Sequence, residues 1–259
     1  PAPGPVHLNL PFREPLVPAT ICGPPTVSRA ATPAPATLVQ EVSDPSEALA
    51  AQLRGTARGV LVFGPDHPEA SLPESVRRMA TALGWPVIAD PASGLRSGTA
   101  LDGVLIHGAD LLLRDPDTAS ALRPDIVVRF GGLPTSKAVN QWLARHAAAD
   151  VWLVDPAGGF RDPQHRASRA LRATPRQFCD LVAAGVGDPA GVNGDWIGQW
   201  RHADQVTGAA VDRALAADAR FLTPHLARSL WQALPAGTVL YAANSMAIRE
   251  VDAFAGARN

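Results

Sequence analysis

Short apolar runs bounded by Gly, Pro and Asp alternate along this chain with longer stretches whose apolar residues recur at helical spacing. Gly59-Val60-Leu61-Val62-Phe63-Gly64 is a continuous apolar run, the pattern of a strand buried on both faces. After it, Leu72, Val76, Met79, Ala80 and Leu83 fall on one helical stripe. Ser71 is the expected N-cap, Pro73 lies in the first turn and Gly84 closes the end. Further strands are expected at Pro86-Val87-Ile88-Ala89-Asp90, at Val104-Leu105-Ile106 and at Asp125-Ile126-Val127-Val128-Arg129-Phe130. A helix over 136–147 buries Val139, Trp142 and Leu143. Strands at Val151-Trp152-Leu153-Val154-Asp155 and Ala170-Leu171-Arg172-Ala173 follow. Strands alternating with helices predict an α/β fold, a doubly wound and mostly parallel sheet with helices on both faces.

The texture changes at both ends. Val6, Leu8 and Leu10 alternate with His7 and Asn9 before Pro11, a lone strand that reads as the last strand of a preceding domain. The stretch 15–35 carries Pro15, Pro18, Pro24, Pro25, Pro33 and Pro35 and reads as an extended linker. Residues 36–185 then form the central Rossmann-like domain, and the Gly, Asp, Asn and Pro of 185–195 mark a boundary. Beyond it come a long helix over 196–219 and a second over 223–234, with Thr223 as N-cap. A strand at Thr238-Val239-Leu240-Tyr241-Ala242 and a short helix carrying Met246, Ile248, Arg249, Val251 and Phe254 complete the chain. Residues 186–259 therefore read as the truncated start of a second α/β domain.

Composition narrows the function classes. A net charge of −1 supplies no bulk attraction to nucleic acid or anionic membrane. No apolar run approaches the about 18 residues of a membrane span. Cys22 and Cys179 are far apart with no C-x-x-C spacing, the usage of reduced thiols in a cytoplasmic protein. The seven histidines show no metal-ligand spacing. No G-x-G-x-x-G follows a strand, so the dinucleotide fingerprint is missing. Gly131-Gly132 is foremost a tight strand-to-helix turn, and a phosphate contact there rests on fold analogy alone. The basic run Arg161, Arg166, Arg169, Arg172 and Arg176 lacks aromatic interleaving and reads as a solvated face.

Two stretches carry candidate chemistry. Asn244-Ser245-Met246-Ala247-Ile248-Arg249 crosses a turn into a helix. A hydroxyl and a guanidinium four residues apart share one side of the first turn, where a carboxylate or phosphate is favoured. The plainer alternative is a helix cap beside a surface arginine. Arg129-Phe130-Gly131-Gly132-Leu133-Pro134-Thr135-Ser136-Lys137 places Lys137 at a helix start beyond a strand's carboxyl end. A lysine fits that end of the helix dipole poorly unless an anion is near; the alternative is a solvated lysine.

These words have a family likeness. Gly-Pro-Val-His-Leu-Asn-x-Pro at residues 4–11, Phe12-Arg13-Glu14-Pro15-Leu16, Trp85-Pro86-Val87-Ile88-Ala89-Asp90-Pro91 with Ser93-Gly94-Leu95-Arg96, the 129–137 run, and Asn244 to Arg249 occur in that order. The chain resembles the thiamine-diphosphate-dependent synthases of menaquinone biosynthesis, the MenD family, over its middle domain and the start of its C-terminal domain. The resemblance implies a reaction that decarboxylates 2-oxoglutarate and adds the succinyl unit to isochorismate, with thiamine diphosphate and Mg2+ as cofactors. It implies Ser245 and Arg249 as contacts to acidic substrate, Lys137 as a further substrate contact, and Asn244 near the cofactor. Some relatives carry Lys-Arg where this chain has Lys137-Ala138, so Lys137 would act alone. Arg96 is expected to be structural before it is an anion contact.

The family's catalytic glutamate lies in a domain that would precede residue 1, and its Gly-Asp-Gly-like metal motif would follow residue 259. These 259 residues alone are therefore expected to hold no catalytic or metal residue, to bind the cofactor weakly and to be inactive. The full-length enzyme is expected to be a cytoplasmic homo-oligomer with no nucleic-acid partner. Two other readings remain: the middle of an acetolactate-synthase-like decarboxylase, and a free-standing nucleotide-binding module.

Overall fold

The apolar runs assemble side by side because each is too apolar to leave either face in water. The computed structural model describes residues 39–41, 47–66, 69, 71–146, 149–158, 161–163, 165–187, 194–235 and 237–256. The expected strand at 6–10, the Pro-rich stretch 15–35 and Cys22 lie outside them. Strands β1 (Val39–Glu41), β2 (Gly59–Phe63), β3 (Val87–Ala89), β4 (Ile126–Phe130), β5 (Asp150–Val154) and β6 (Arg169–Arg172) form one sheet in the order β1-β6-β5-β4-β2-β3. Every pair is parallel, and β2, β3 and β4 are buried at every residue.

From β2 the chain steps outward to β3, then returns across β2 to β4 and continues to β5. Right-handed crossovers in opposite directions put their helices on opposite faces. Helices α1 (Glu47–Arg54), α2 (Leu72–Leu83) and α6 (Pro175–Val186) pack together in one layer. Helices α3 (Ala109–Leu112), α5 (Lys137–Arg145) and α7 (Gly194–Ala217) form the other. A short helix, α4 (Pro116–Ala121), leads into β4. On the first face Phe63 stacks on Phe130 with ring centroids 4.3 Å apart, and Phe178 of α6 meets Phe130 edge-on at 5.8 Å.

The second face is built around tryptophans. Trp196 and Trp200, in the first turns of α7, are buried against the central sheet and α5. Trp196 donates from Nε1 to the Gly59 carbonyl at 2.8 Å, and Trp142 meets Trp200 edge-on at 5.5 Å. The N-terminal half of α7 is thus part of the central core, and its C-terminal half runs on toward α8 (Thr223–Ala233) and α9 (Met246–Phe254). Trp142 donates from Nε1 to the Ala119 carbonyl at 3.2 Å, whereas the buried Trp200 Nε1 has no partner among the described residues. Trp142→Phe is therefore expected to destabilise more than Trp200→Phe by about 1 kcal/mol, the net worth of one hydrogen bond. Equal losses in urea unfolding would contradict this.

Four sequence expectations need correction. Residues 104–106 form only a single parallel bridge, Leu105 to Val87. The turn ending at Gly103, whose φ is +83°, and the start of α3 leave no room for a longer ladder. Residues 238–242 pair with no strand among the described residues; Val239 and Tyr241 are 91% and 94% exposed. An apolar alternation becomes a strand only beside a neighbour. Ser71 stands at the N-cap of α2 but in helical geometry, so its side chain makes no capping bond. Thr223 is the first residue of α8 rather than its cap. Leu222 is the cap; its N–H donates to His225 Nδ1, and the Thr223 hydroxyl donates to Glu250 Oε1 at 2.6 Å.

Candidate functional site

Open parallel sheets bind ligands beyond the carboxyl ends of their strands, where the winding reverses. Here that place lies between β2 and β4, and it is closed by backbone. A Cβ built on Gly64 would sit 1.8 Å from the Gly132 carbonyl oxygen. Gly132 N–H donates to the Pro65 carbonyl at 3.1 Å, and Gly64 N–H to Phe130 at 2.9 Å. Gly131 has φ +68°, and its Cβ would meet Pro65 O at 2.9 Å. The glycines serve a loop-on-loop contact, which accords with the tight-turn reading of Gly131-Gly132. Neighbouring acids are engaged in the same way. Asp90 accepts from Ala92 N–H and from Thr135 N–H, and Asp155 accepts from Ala157 N–H.

Arg129, on β4, turns its guanidinium toward the loop after β5. It pairs with the buried Asp162 at 3.1 Å and donates to the Arg161 carbonyl. Burial lowers the Arg129 pKa and the Asp162 charge opposes that. The other Asp162 oxygen accepts from Arg166 N–H and Ala167 N–H. Four of the five arginines of the basic run are engaged within the central domain. Arg161 pairs with Asp155, Arg166 donates to the carbonyls of Ala144 and His146, Arg169 lies over the Trp152 ring, and Arg176 pairs with Glu69.

The head of α9 is different. Ser245 has φ +67° and ψ −127°, a region that glycine favours, and its side chain makes no capping bond. A serine held there costs about 1–3 kcal/mol, and such strain concentrates at functional positions. Asn244, Ser245 and Arg249 are all exposed, and Arg249 makes no ion pair with any described residue. Ser245 thus stands at the N-cap position without using its hydroxyl to cap the helix. Lys137 is exposed as the first residue of α5. Its neighbour Ser136 caps α5 by accepting from Val139 N–H at 3.0 Å and donates to Asp110 of α3 at 2.6 Å. Helix α3 also packs on α9. The two candidate stretches thus share α3 as a footing, although they are over a hundred residues apart in sequence.

Asp252, on the inner side of α9, was not singled out by sequence. The available signal was an acid inside the apolar face of a short amphipathic helix. It is 6% exposed and pairs with Arg96, which is 5% exposed. Burial pushes the Asp252 carboxyl up to about 6; Arg96 pulls it back, and Asp110 and Asp90 push it further. His107 is also lowered, by burial first and then by Arg96. The sign for stability follows from Asp252. Between its ordinary 3.8 and about 6 the folded protein keeps a proton that the unfolded chain has lost. This group therefore favours folding at low pH, and the contribution falls as pH rises through that window, by up to about 3 kcal/mol. The stability of Asp252→Asn relative to the unsubstituted protein is expected to improve between pH 4 and 7. A difference that stays flat with pH would contradict this.

Among the described residues no group of three or more His, Cys, Asp or Glu could hold a metal ion, and no helix is long and apolar enough to cross a membrane. Cys179 is buried, and burial raises its thiol far above the ordinary range. At the sheet's carboxyl end the N–H groups of Gly64, Asp90, Ala92, Gly132, Thr135, Asp155 and Ala157 are bonded within the protein.

A doubly wound parallel sheet whose reversal point is closed by its own backbone defines an α/β scaffold domain. The chain belongs to the family described as "Middle domain of thiamine pyrophosphate", which matches residues 37–242. It is similar to proteins named 2-succinyl-5-enolpyruvyl-6-hydroxy-3-cyclohexene-1-carboxylate synthase. The protein of Geobacillus kaustophilus is 36% identical over 255 residues, 97% of this chain and 43% of that protein. Those of Bacillus velezensis and Chloroflexus aurantiacus are each 33% identical over 97% and 98% of this chain. The chain spans less than half the length of these curated relatives.

Proposed function

We propose that this chain is the central part of a thiamine-diphosphate-dependent synthase that decarboxylates 2-oxoglutarate and joins the remaining four-carbon unit to isochorismate in menaquinone biosynthesis. The similarity to synthases of that name along almost the whole chain supports the reading. So does the middle-domain family match. In it, residues 1–35 are the end of a preceding domain and linker, 36–185 the central domain, and 186–259 the start of the cofactor-binding domain of a cytoplasmic homo-oligomer, whose first helix is anchored in the central core by Trp196 and Trp200 and which the middle-domain match overlaps as far as residue 242. The observation that carries the site is Ser245, held at φ +67° with an uncapping hydroxyl, one helical turn from an exposed arginine.

Bound thiamine diphosphate, with Mg2+, would supply the electron sink for decarboxylation, and Asn244 would approach it from this chain. The residues of this chain do the binding. Arg249 presents a planar fork to a substrate carboxylate, Ser245 donates one hydrogen bond to it, and Lys137 adds a positive charge for the second acid. Two acidic substrates require such cations, since an unpaired carboxylate held away from water is strongly disfavoured.

Ser245 separates binding from folding in a test. In the full-length protein, Ser245→Gly is expected to raise stability by about 1 kcal/mol as strain is released. It is also expected to lower kcat/KM at least about tenfold through loss of the hydroxyl, and Arg249→Ala to lower kcat/KM by a similar factor or more. Unchanged kinetics in both variants would remove the proposed site.

A further inference from the structure

Arg96 gathers three parts of the molecule at one buried guanidinium. It follows Gly94, whose φ of +74° turns the chain inward after the 3-10 turn Pro91–Ser93. Nη1 donates to the Asp252 carboxylate, and Nη2 to the Asp252 carbonyl at 3.1 Å and the His107 carbonyl at 3.0 Å. The His107 corner is itself fixed to α7, because Asp204 accepts from the N–H groups of His107 and Gly108. Asp252 lies on the same nine-residue helix as Arg249, and Ser245 is the N-cap residue joined directly to its first turn. A helix this short moves as one rigid rod.

We propose that Arg96 and Asp252 are positioning residues that set the placement of α9, and through it the aim of Ser245 and Arg249 at an acidic substrate. The proposal rests on the substrate-binding reading of α9. Three acceptors served by two nitrogens suit the fork of an arginine, and a lysine ammonium is a point charge that does not span them. A displacement of the order of 1 Å in a binding group can change rates about a hundredfold, so a slack α9 weakens substrate binding without disturbing the central sheet.

The test uses the full-length protein with Arg96→Lys and Arg96→Met. Where Arg96→Met leaves Asp252 unpaired and the protein does not fold, the paired Arg96→Met/Asp252→Leu replaces it. Two readouts are taken: KM and kcat for 2-oxoglutarate and isochorismate, and hydrogen exchange of the amides of 246–254 against those of 126–130. The expected result is a rise in KM of about tenfold or more in both variants, lysine included, with kcat per folded enzyme within about threefold. Exchange is expected to quicken in 246–254 and to stay unchanged in 126–130. Unchanged KM with unchanged exchange in α9 overturns the proposal, as does full rescue by lysine. Absence of turnover by the unsubstituted protein defeats the substrate reading instead, and the exchange comparison then decides the positioning claim alone.

Discussion

Gly64→Ala is expected to destabilise the protein by about 3 kcal/mol or more, at the upper end of what an over-packed site costs. The added methyl would lie 1.8 Å from the carbonyl oxygen of Gly132 and 2.5 Å from its carbonyl carbon. Neither side can yield cheaply, because both are backbone. β2 and β4 are paired residue for residue up to Phe63 and Phe130, whose rings stack at 4.3 Å. Relief would need the loops after both strands to part and break the Gly64-to-Phe130 and Gly132-to-Pro65 bonds. Gly198→Ala is the control of opposite sign. Gly198 lies inside α7 with nothing within 4 Å of an added Cβ, and alanine there gains about 0.5–1 kcal/mol from helix propensity and chain entropy. Chemical denaturation of the two variants should move in opposite directions. A tolerated Gly64→Ala would mean that the crevice at the sheet's reversal point is open, and the case against a nucleotide site there would be lost.

Asp162→Ala is expected to cost about 3–5 kcal/mol, because it leaves the Arg129 guanidinium buried without its counter-charge. Arg129 is 3% exposed and its Nε already has no partner among the described residues. The two oxygens of Asp162 have different duties: one faces Arg129, the other accepts two backbone N–H groups. Asparagine cannot serve both, since its amide nitrogen would point a donor at one of these donors. Asp162→Asn should therefore lose much of the same stability, and Arg129→Met/Asp162→Ala should recover part of it by removing the orphaned charge. Thermal unfolding of the three variants checks this. A harmless Asp162→Asn would show that the pair is not the determinant of this loop.

Much of the central domain is legible in sequence because period and punctuation agree. The run at 59–64 ends in Gly-Pro and becomes a strand buried throughout, and the stripe from Leu72 to Leu83 becomes a helix closed by Gly84 at φ +66°. What misleads is context. Val104 to Ile106 and Thr238 to Ala242 have strand-like composition, but only a neighbour at the right height makes a ladder. The site divides the same way. Ser245, Arg249 and Lys137 stand out as types at helix starts, yet the strain at Ser245 is a backbone property that composition does not encode. The Arg96–Asp252 contact spans 156 positions, and no local pattern announces a pairing set by two elements meeting in the fold.

The proposed synthase, acting on two acidic substrates, is tested most simply by its stoichiometry. The direct measurement is to incubate the full-length protein with thiamine diphosphate, Mg2+, 2-oxoglutarate and isochorismate, following CO2 release and the mass of the product. Joint consumption of both acids is expected, with one CO2 per product formed and turnover sharply reduced by Arg249→Ala. Turnover of pyruvate in place of 2-oxoglutarate, or a product that forms without isochorismate, would contradict it.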